Sequence, residues 1–309
     1  MLLGAIVALI LWLGHNVVDN MRARGLASGF DFLSRPAGFD ISQSLIAYSP
    51  QSTHTRVFLV GALNTLLVAV LSIVTATLVG LVVGMARVSN NFLARNVGAA
   101  YVELVRNVPL PIQLLVWYAL LLLLPPARQA WAIDGVAYLT NRGLYLPKYV
   151  WGQGFDLPHD AGFDFAGGLL VSPPLIALWA ALSVYTAAFI SEIVRGGLKA
   201  VSPGQMEAAR SLGLGHGRAI RLVVLPQAFR VMVPPLASQY LNLTKNSSLA
   251  VIVGYPDLVA VFGGTSLNQT GQAIETLSLV MLFYLVCSLS VSLFMNWYNA
   301  QSAVWATPR

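Results

Sequence analysis

Charge is scarce in this sequence. Only 10% of its 309 residues are Asp, Glu, Lys or Arg, while 57% are hydrophobic. A soluble globular domain carries about 25% charged residues, so the chain cannot cover the surface of a water-soluble fold of its length. That excludes a soluble enzyme, a nucleic-acid binder and a disordered regulator. The single cysteine, Cys287, excludes an intrachain disulfide and a Cys-based metal site. The histidines His15, His54, His159 and His216 lack metal-ligand spacing, and no metal is expected. No G-x-x-x-x-G-K-S/T run occurs, so the chain has no P-loop of its own for ATP. No nucleophile, base and acid stand out as a set, and there is no internal repeat or low-complexity segment.

What the sequence has in quantity is uninterrupted apolar run. A membrane span needs about 20 mostly apolar residues. The intervals between charges give six candidate helices, near 2–18, 57–86, 99–124, 172–197, 231–254 and 273–298. The first run lacks a basic leading region and a small-x-small cleavage site, so a retained helix is expected there. The stretches 87–98, 198–230 and 299–309 carry eight basic residues against one acid, Glu207. The stretches 19–55, 125–171 and 255–272 carry six against eight acids. By the positive-inside rule the first set is cytoplasmic, which puts both termini inside. The long outer segment 125–171 is punctuated by Pro125, Pro126, Pro147 and Pro158 and holds Trp131 and Trp151. It reads as a solvated loop with interfacial tryptophans, or as one packed on the membrane interface or on a soluble partner.

The segment 198–230 is the most informative. Ser202 and Pro203 look like an N-cap followed by Pro at the first helical position. A short helix is expected over 204–212, ended by Gly213, and a second from near Arg218 toward Pro226. Met206, Ala209 and Leu212 share one helical face. Such a helix rests on a membrane surface or fits a groove on a partner. Ala208 and Ala209 permit close approach, and Glu207 offers an anion.

Glu207-Ala208-Ala209, Gly213, Val223 and Leu225-Pro226 stand at the spacing EAA-x3-G-x9-I-x-LP, with Val for Ile. This resembles the EAA loop of ABC-importer permeases. The likeness extends from about Gly61 to Tyr298. Gly61-x-x-Asn64-Thr65, the run Tyr101 to Gln113 (with Glu103, Arg106, Asn107 and Pro109-Leu110), Ala188 to Gly197 (with Glu192 and Arg195) and Lys245-Asn246-Ser247-Ser248-Leu249 are similar to segments of polar amino-acid permeases. The Arg106-Asn107 form, the long 125–171 segment and Tyr255-Pro256-Asp257 resemble the Q-type permease of general L-amino-acid importers. The resemblance implies an all-α integral-membrane chain with the type I ABC-importer permease fold, about six spans and a long extracytoplasmic loop. Its organisation would be a helix and outer segment over 1–56, a transmembrane domain over 57–298 and a cytoplasmic tail over 299–309.

The implied function is a subunit that moves L-amino acids, of broad and polar range, across the bacterial inner membrane by alternating access. Partners would be P-loop ATPase subunits holding ATP and Mg2+, an M-type permease, a periplasmic binding protein and membrane lipid. The chain itself would hold no cofactor. Glu207, Ala208, Ala209, Gly213, Leu225 and Pro226 would couple it to the ATPase. Two other readings stand beside this one: an ion-coupled secondary transporter, and a membrane scaffold without transport.

Ionisable residues inside spans point to function because burying them there is costly. Glu103 and Arg106, at i and i+3, are expected to pair on one face, as a helix lock or as part of the path. Glu192 and Arg195 repeat that spacing, so Glu192 either pairs with Arg195 or receives a substrate ammonium. Lys245, with Asn246, Ser247 and Ser248, suits an α-carboxylate; it could equally bind helix carbonyls or Glu192. Asn107 and Gln113 join the path by the motif they belong to. Pro109 and Pro111, and Pro234 and Pro235, are expected to kink their helices. Leu110 stands where permeases restricted to cationic amino acids carry an acid, which argues for a broad range.

Overall fold

The computed structural model describes residues 28–304, apart from 134, 135 and 153, together with scattered positions between 4 and 20. The helix expected over 2–18 falls largely outside the described residues. So does the end of the tail from 305.

Among the described residues, four helices are long and apolar enough to cross a membrane. These are α1 (His54–Val88), α4 (Pro173–Ala200), the helical run His216–Val253 and the span Ala273–Tyr298. The last belongs to α9 (Ala273–Val304). The interval expected as one helix over 99–124 is instead two, α2 (Phe92–Asn107) and α3 (Leu110–Leu122), bent by 104°. The break has a local cause. Pro109 disfavours helical backbone at the preceding residue, and Val108 is extended, with φ −102° and ψ 126°. Pro109 and Pro111 then lead into α3, where a missing N–H costs nothing because first-turn N–H groups have no helical acceptor.

After α4 come α5 (Pro203–Ser211), α6 (His216–Ala219), a π turn (Ile220–Val224) and α7 (Leu225–Asn246). A helix beginning at 231 was expected. The observed one runs through Pro226, because the π turn before it lets Pro sit in a first turn. Pro234 and Pro235 therefore lie inside α7. A 3-10 run (Ser247–Val253), a π run (Val259–Ser266) and α8 (Leu267–Thr270) lead to α9.

The chain divides into two compact units. One comprises residues 1–64 and 256–283; the other comprises 65–255 and 284–309. In the first, the Asn64 amide donates to the carbonyls of Gln43 (2.8 Å) and Pro256 (2.9 Å). His54 Nδ1 meets Ser266 Oγ at 2.9 Å, and buried Phe32 stacks near Phe262. In the second, Leu114, Leu178, Leu182 and Tyr255 centre one core, and Ile190, Met232 and Leu243 centre another. Gly80 and Gly84, one turn apart on α1, let α4 come close. A Cβ on Gly80 would lie 2.6 Å from Ile190 Cβ, and one on Gly84 2.6 Å from Val194 Cβ. Small residues at this spacing are how membrane helices approach. Polar ties add to the packing: Trp179 Nε1 donates to Thr75 Oγ1 at 3.0 Å, and the Tyr101 hydroxyl donates to the Val184 carbonyl at 2.6 Å. Val70, Val74, Leu78 and Val82 form an exposed i, i+4 stripe along α1, as a lipid-facing side requires.

Segment 125–171 is not a plain loop. It holds β1 (Trp131–Ile133), β2 (Ala137–Thr140), β3 (Gly143–Leu146), β4 (Lys148–Val150), β5 (Gly154–Asp156), β6 (His159–Asp160), β7 (Phe165–Ala166) and β8 (Leu169–Val171). The sheet order β1-β2-β3-β8 is antiparallel, and two hairpins, β4-β5 and β6-β7, stand beside it. Asp164 ties the sheet together by accepting from the Tyr145 hydroxyl and from Arg142 Nη1 (2.7 Å). Burial pushes the Asp164 carboxyl up. Hydrogen bonds from Tyr145, Arg142 and the Phe165 amide, with the Arg142 charge, outweigh that and hold it below its ordinary value. Burial and the same hydrogen bond push the Tyr145 hydroxyl up.

Candidate functional site

The end of α1, α2 and α4 border an open cavity of about 470 Å3 lined by Arg87, Val102, Glu103, Arg106, Asn107, Phe189 and Glu192. Four of the residues expected to line a path are thus brought together: Glu103, Arg106, Asn107 and Glu192. Their partners differ from expectation. Glu192 pairs with Arg195, as the i, i+3 spacing predicts: Arg195 Nη2 lies 2.9 Å from Oε2. The second partner is Arg87, whose Nη1 lies 2.6 Å from Oε1. Both carboxylate oxygens are therefore engaged by guanidinium groups, as the pairing reading of Glu192 expects. Arg87 entered the sequence reading only as a marker of topology. The signal for its second role was Gly80 and Gly84, since the close approach of α1 and α4 is what carries Arg87 to Glu192.

The expected Glu103–Arg106 pair does not form among the described residues. The Arg106 guanidinium lies over the Phe189 ring, 4.8 Å from its centre. A cation over an aromatic face is a favourable alternative to an ion pair. It leaves Glu103 exposed at the cavity.

Phe189 also borders a second cavity, of about 240 Å3, lined by Tyr185, Thr186, Gln239, Asn242, Leu243, Lys245 and Asn246. Lys245 stands at the last turn of α7, where the run His216–Val253 passes from α-helix to 3-10. It is exposed and has no carboxylate partner among the described residues. Ser247 Oγ donates to the Thr244 carbonyl (2.7 Å) and Ser248 Oγ to the Lys245 carbonyl (2.8 Å). Those hydroxyls finish the helix, so the cavity is left with Lys245 and Asn246 from that group. Gln113 is in neither cavity. It is buried at the bend between α2 and α3, where Nε2 donates to the carbonyls of Val105 (2.7 Å) and Val108 (2.8 Å). These are the last carbonyls of a helix that the proline break leaves without intrahelical partners.

The segment after α4 forms a distinct surface. Pro203 sits in the first turn of α5, although the Ser202 side chain makes no cap bond. Glu207 and Ala208 are exposed, whereas Ala209 is 4% exposed and faces the protein. Leu212, expected to share the face of Ala209, is 84% exposed. Gly213, at φ +81°, turns the chain where a side chain would be strained. Its amide donates to the Arg210 carbonyl at 2.9 Å, and the Leu214 amide to the Ala209 carbonyl at 3.1 Å. Gln227 Nε2 donates to Gln205 Oε1 at 3.1 Å, tying α7 to α5. Leu225 is half-buried and Pro226 exposed at the start of α7.

Long apolar helices, two polar cavities lined by them and a short exposed helix beside them fit a membrane transport component. Residues 76–302 match the family of binding-protein-dependent transport system inner membrane components, and the chain belongs to that family. It is thus the permease subunit of an ABC importer. It is 45% identical to the putative amino-acid ABC transporter permease protein YhdX of Escherichia coli K12, over 97% of this chain and 92% of that one. It is 42% identical to the general L-amino acid transport system permease protein AapQ of Rhizobium johnstonii, over 97% of this chain and 90% of that one. Among solved structures, an amino acid ABC transporter crystallised with histidines matches with a TM-score of 0.59 and 25% identity. That match covers 80% of this chain and 95% of the other.

Proposed function

We propose that this permease moves L-amino acids of broad, polar character inward by alternating access, with Lys245 as the group that holds the substrate α-carboxylate. The observation that carries the reading is Lys245 itself. Among the described residues it is a cation without a carboxylate partner, and it lines a cavity whose other polar lining is hydroxyl and amide. A charge-assisted hydrogen bond to a carboxylate suits it, and the amides of Gln239, Asn242 and Asn246 suit the remaining polar groups. Glu192, held between Arg87 and Arg195, serves as a latch between helices, not as the receiver of the ammonium. The exposed carboxylate of Glu103, in the cavity across Phe189, is the counterpart for that charge. The names of the relatives support an amino-acid cargo.

In this proposal ATP and Mg2+ sit on a partner ATPase, and this chain holds no cofactor. A secreted binding protein delivers substrate, and an M-type permease completes the path. Both termini lie in the cytoplasm. Glu207, Ala208, Ala209, Gly213, Leu225 and Pro226 form or support the surface that the ATPase moves.

The test is purification of the tagged chain from native membrane, then reconstitution with the binding protein in proteoliposomes. A co-purifying P-loop ATPase and ATP-driven uptake of L-amino acids are expected. A chain that takes up amino acids alone, driven by an ion gradient, overturns the proposal. Within that assay, Lys245→Gln loses a charged hydrogen bond worth about 1.5–3 kcal/mol. The uptake KM should rise about 10- to 100-fold with assembly unchanged. An unaltered KM removes Lys245 from the path.

A further inference from the structure

The β4-β5 hairpin leaves three aromatic rings open. Tyr149 is 57%, Trp151 91% and Phe155 70% exposed. Tyr149 and Phe155 stand opposite each other in the ladder, and Trp151 follows at the turn, where Gly152 and Gly154 take positive φ. The Tyr149 ring centre lies 6.2 Å from Trp151 and 5.4 Å from Phe155, each pair edge to face. At the other end Lys148 stands opposite Asp156 in the register. Asp156 Oδ2 accepts from the Gly168 amide at 2.9 Å, which fastens the hairpin base next to β8.

We propose that this hairpin dips its aromatic tip into the headgroup layer of the membrane that the chain spans, so that the insertion is a lipid-anchored element. Reach permits it. β8 ends at Val171, two positions before α4 begins. Gly168 is thus five residues, about 16 Å of extended chain, from the start of α4, and each three-residue hairpin arm reaches back about 10 Å. The interfacial layer on each side of a bilayer is about 5–7 Å thick, so a hairpin folded toward the membrane meets it. Chemistry favours it too, because Trp and Tyr have an apolar body and a polar tip and concentrate at this depth.

The rival occupant is a soluble protein. It is disfavoured on two grounds. A delivering protein is present only transiently, which would leave Trp151 in water for much of the cycle, whereas the bilayer is always there. Reversible protein docking also leans on a charged patch to steer the encounter. Here Lys148 and Asp156, one of each sign, stand opposite each other in the hairpin register. The proposal requires a membrane protein. It does not depend on the cargo or on which face is outside.

The experiment uses the permease co-purified with its ATPase in nanodiscs. The chain has seven tryptophans. The emission of Trp151 is therefore taken as the difference between the native chain and Trp151→Phe. Expected is strong quenching of that difference by lipids brominated near the headgroup, with little quenching by aqueous iodide. Quenching by iodide and not by bromolipid overturns the proposal and leaves the tip to a soluble partner. A Tyr149→Phe background, which keeps the aromatic ring, should give the same pattern; iodide quenching there overturns the proposal equally.

Discussion

Glu192 organises the cavity it shares with Glu103 and Arg106 through two guanidinium groups, and the energetics of such a triad are asymmetric. Removing the carboxylate leaves Arg87, whose side chain is largely buried, close to Arg195 with nothing between them. An unpaired, desolvated charge costs more than the intact pair contributes. Glu192 is about a quarter exposed, so solvent softens the penalty. A double-mutant cycle on Arg87→Ala and Glu192→Gln should show coupling of about 0.5–3 kcal/mol in thermal or denaturant stability. Strict additivity would mean the contact carries no energy. Only half of this triad was legible in the sequence. Arg195 is set by helical spacing, which one chain displays directly. Arg87 reaches Glu192 through tertiary packing, where the clue was a pair of glycines and not a charge pattern. The same limit applies to Arg106. Its spacing fitted Glu103, but Phe189, from a distant helix, took it instead.

At the scale of elements, the 104° break between α2 and α3 is stabilised by one side chain. Gln113→Leu keeps the volume and removes both hydrogen bonds, leaving the partly buried Val105 and Val108 carbonyls without this donor. Destabilisation of about 1–3 kcal/mol is expected, read as a lowered melting midpoint of the purified complex. An unchanged midpoint would show that water replaces the amide. The motif made Gln113 a path residue. Only the bend, which the prolines hinted at but did not locate, reveals the carbonyls it satisfies. The insertion has its own signature in acid. Asp164 has a lowered pKa in the folded chain, so its contribution is complete above the ordinary value of 3.8. It is lost as pH falls through the lowered value, when Tyr145 and Arg142 lose their anionic acceptor. Hydrogen exchange across 137–171 should therefore quicken below the ordinary carboxylate range. It should quicken at neutral pH in Asp164→Asn. Exchange insensitive to both would place the sheet's stability elsewhere. The strands themselves were hidden from sequence reading because each is only two to four residues long, too short for alternation to emerge among the prolines and glycines.

For the whole molecule, transport requires that a movement outside the membrane reach the cavities inside it. The connection is visible as a division of labour within α5. Ala209 is packed against the chain, while its neighbour Ala208 faces away and Leu212 stands open at the turn. This division was not evident in the sequence, where Ala208 and Ala209 read alike as small residues permitting close approach. Adding bulk at the two positions therefore has opposite consequences. Ala209→Trp has no space and should destabilise the permease itself by about 1–3 kcal/mol through overpacking. Ala208→Trp points away from the body, so its effect on the free chain should stay within about 0.5 kcal/mol. If α5 is the element an ATPase grips, the same Ala208→Trp should abolish ATPase co-purification and ATP-driven uptake, because the new ring occupies the space into which the partner must close. The two readouts separate folding from docking in variants one residue apart. A stable Ala208→Trp chain that still carries its ATPase and transports normally would move the docking surface off α5, toward exposed Leu222 on the neighbouring π turn.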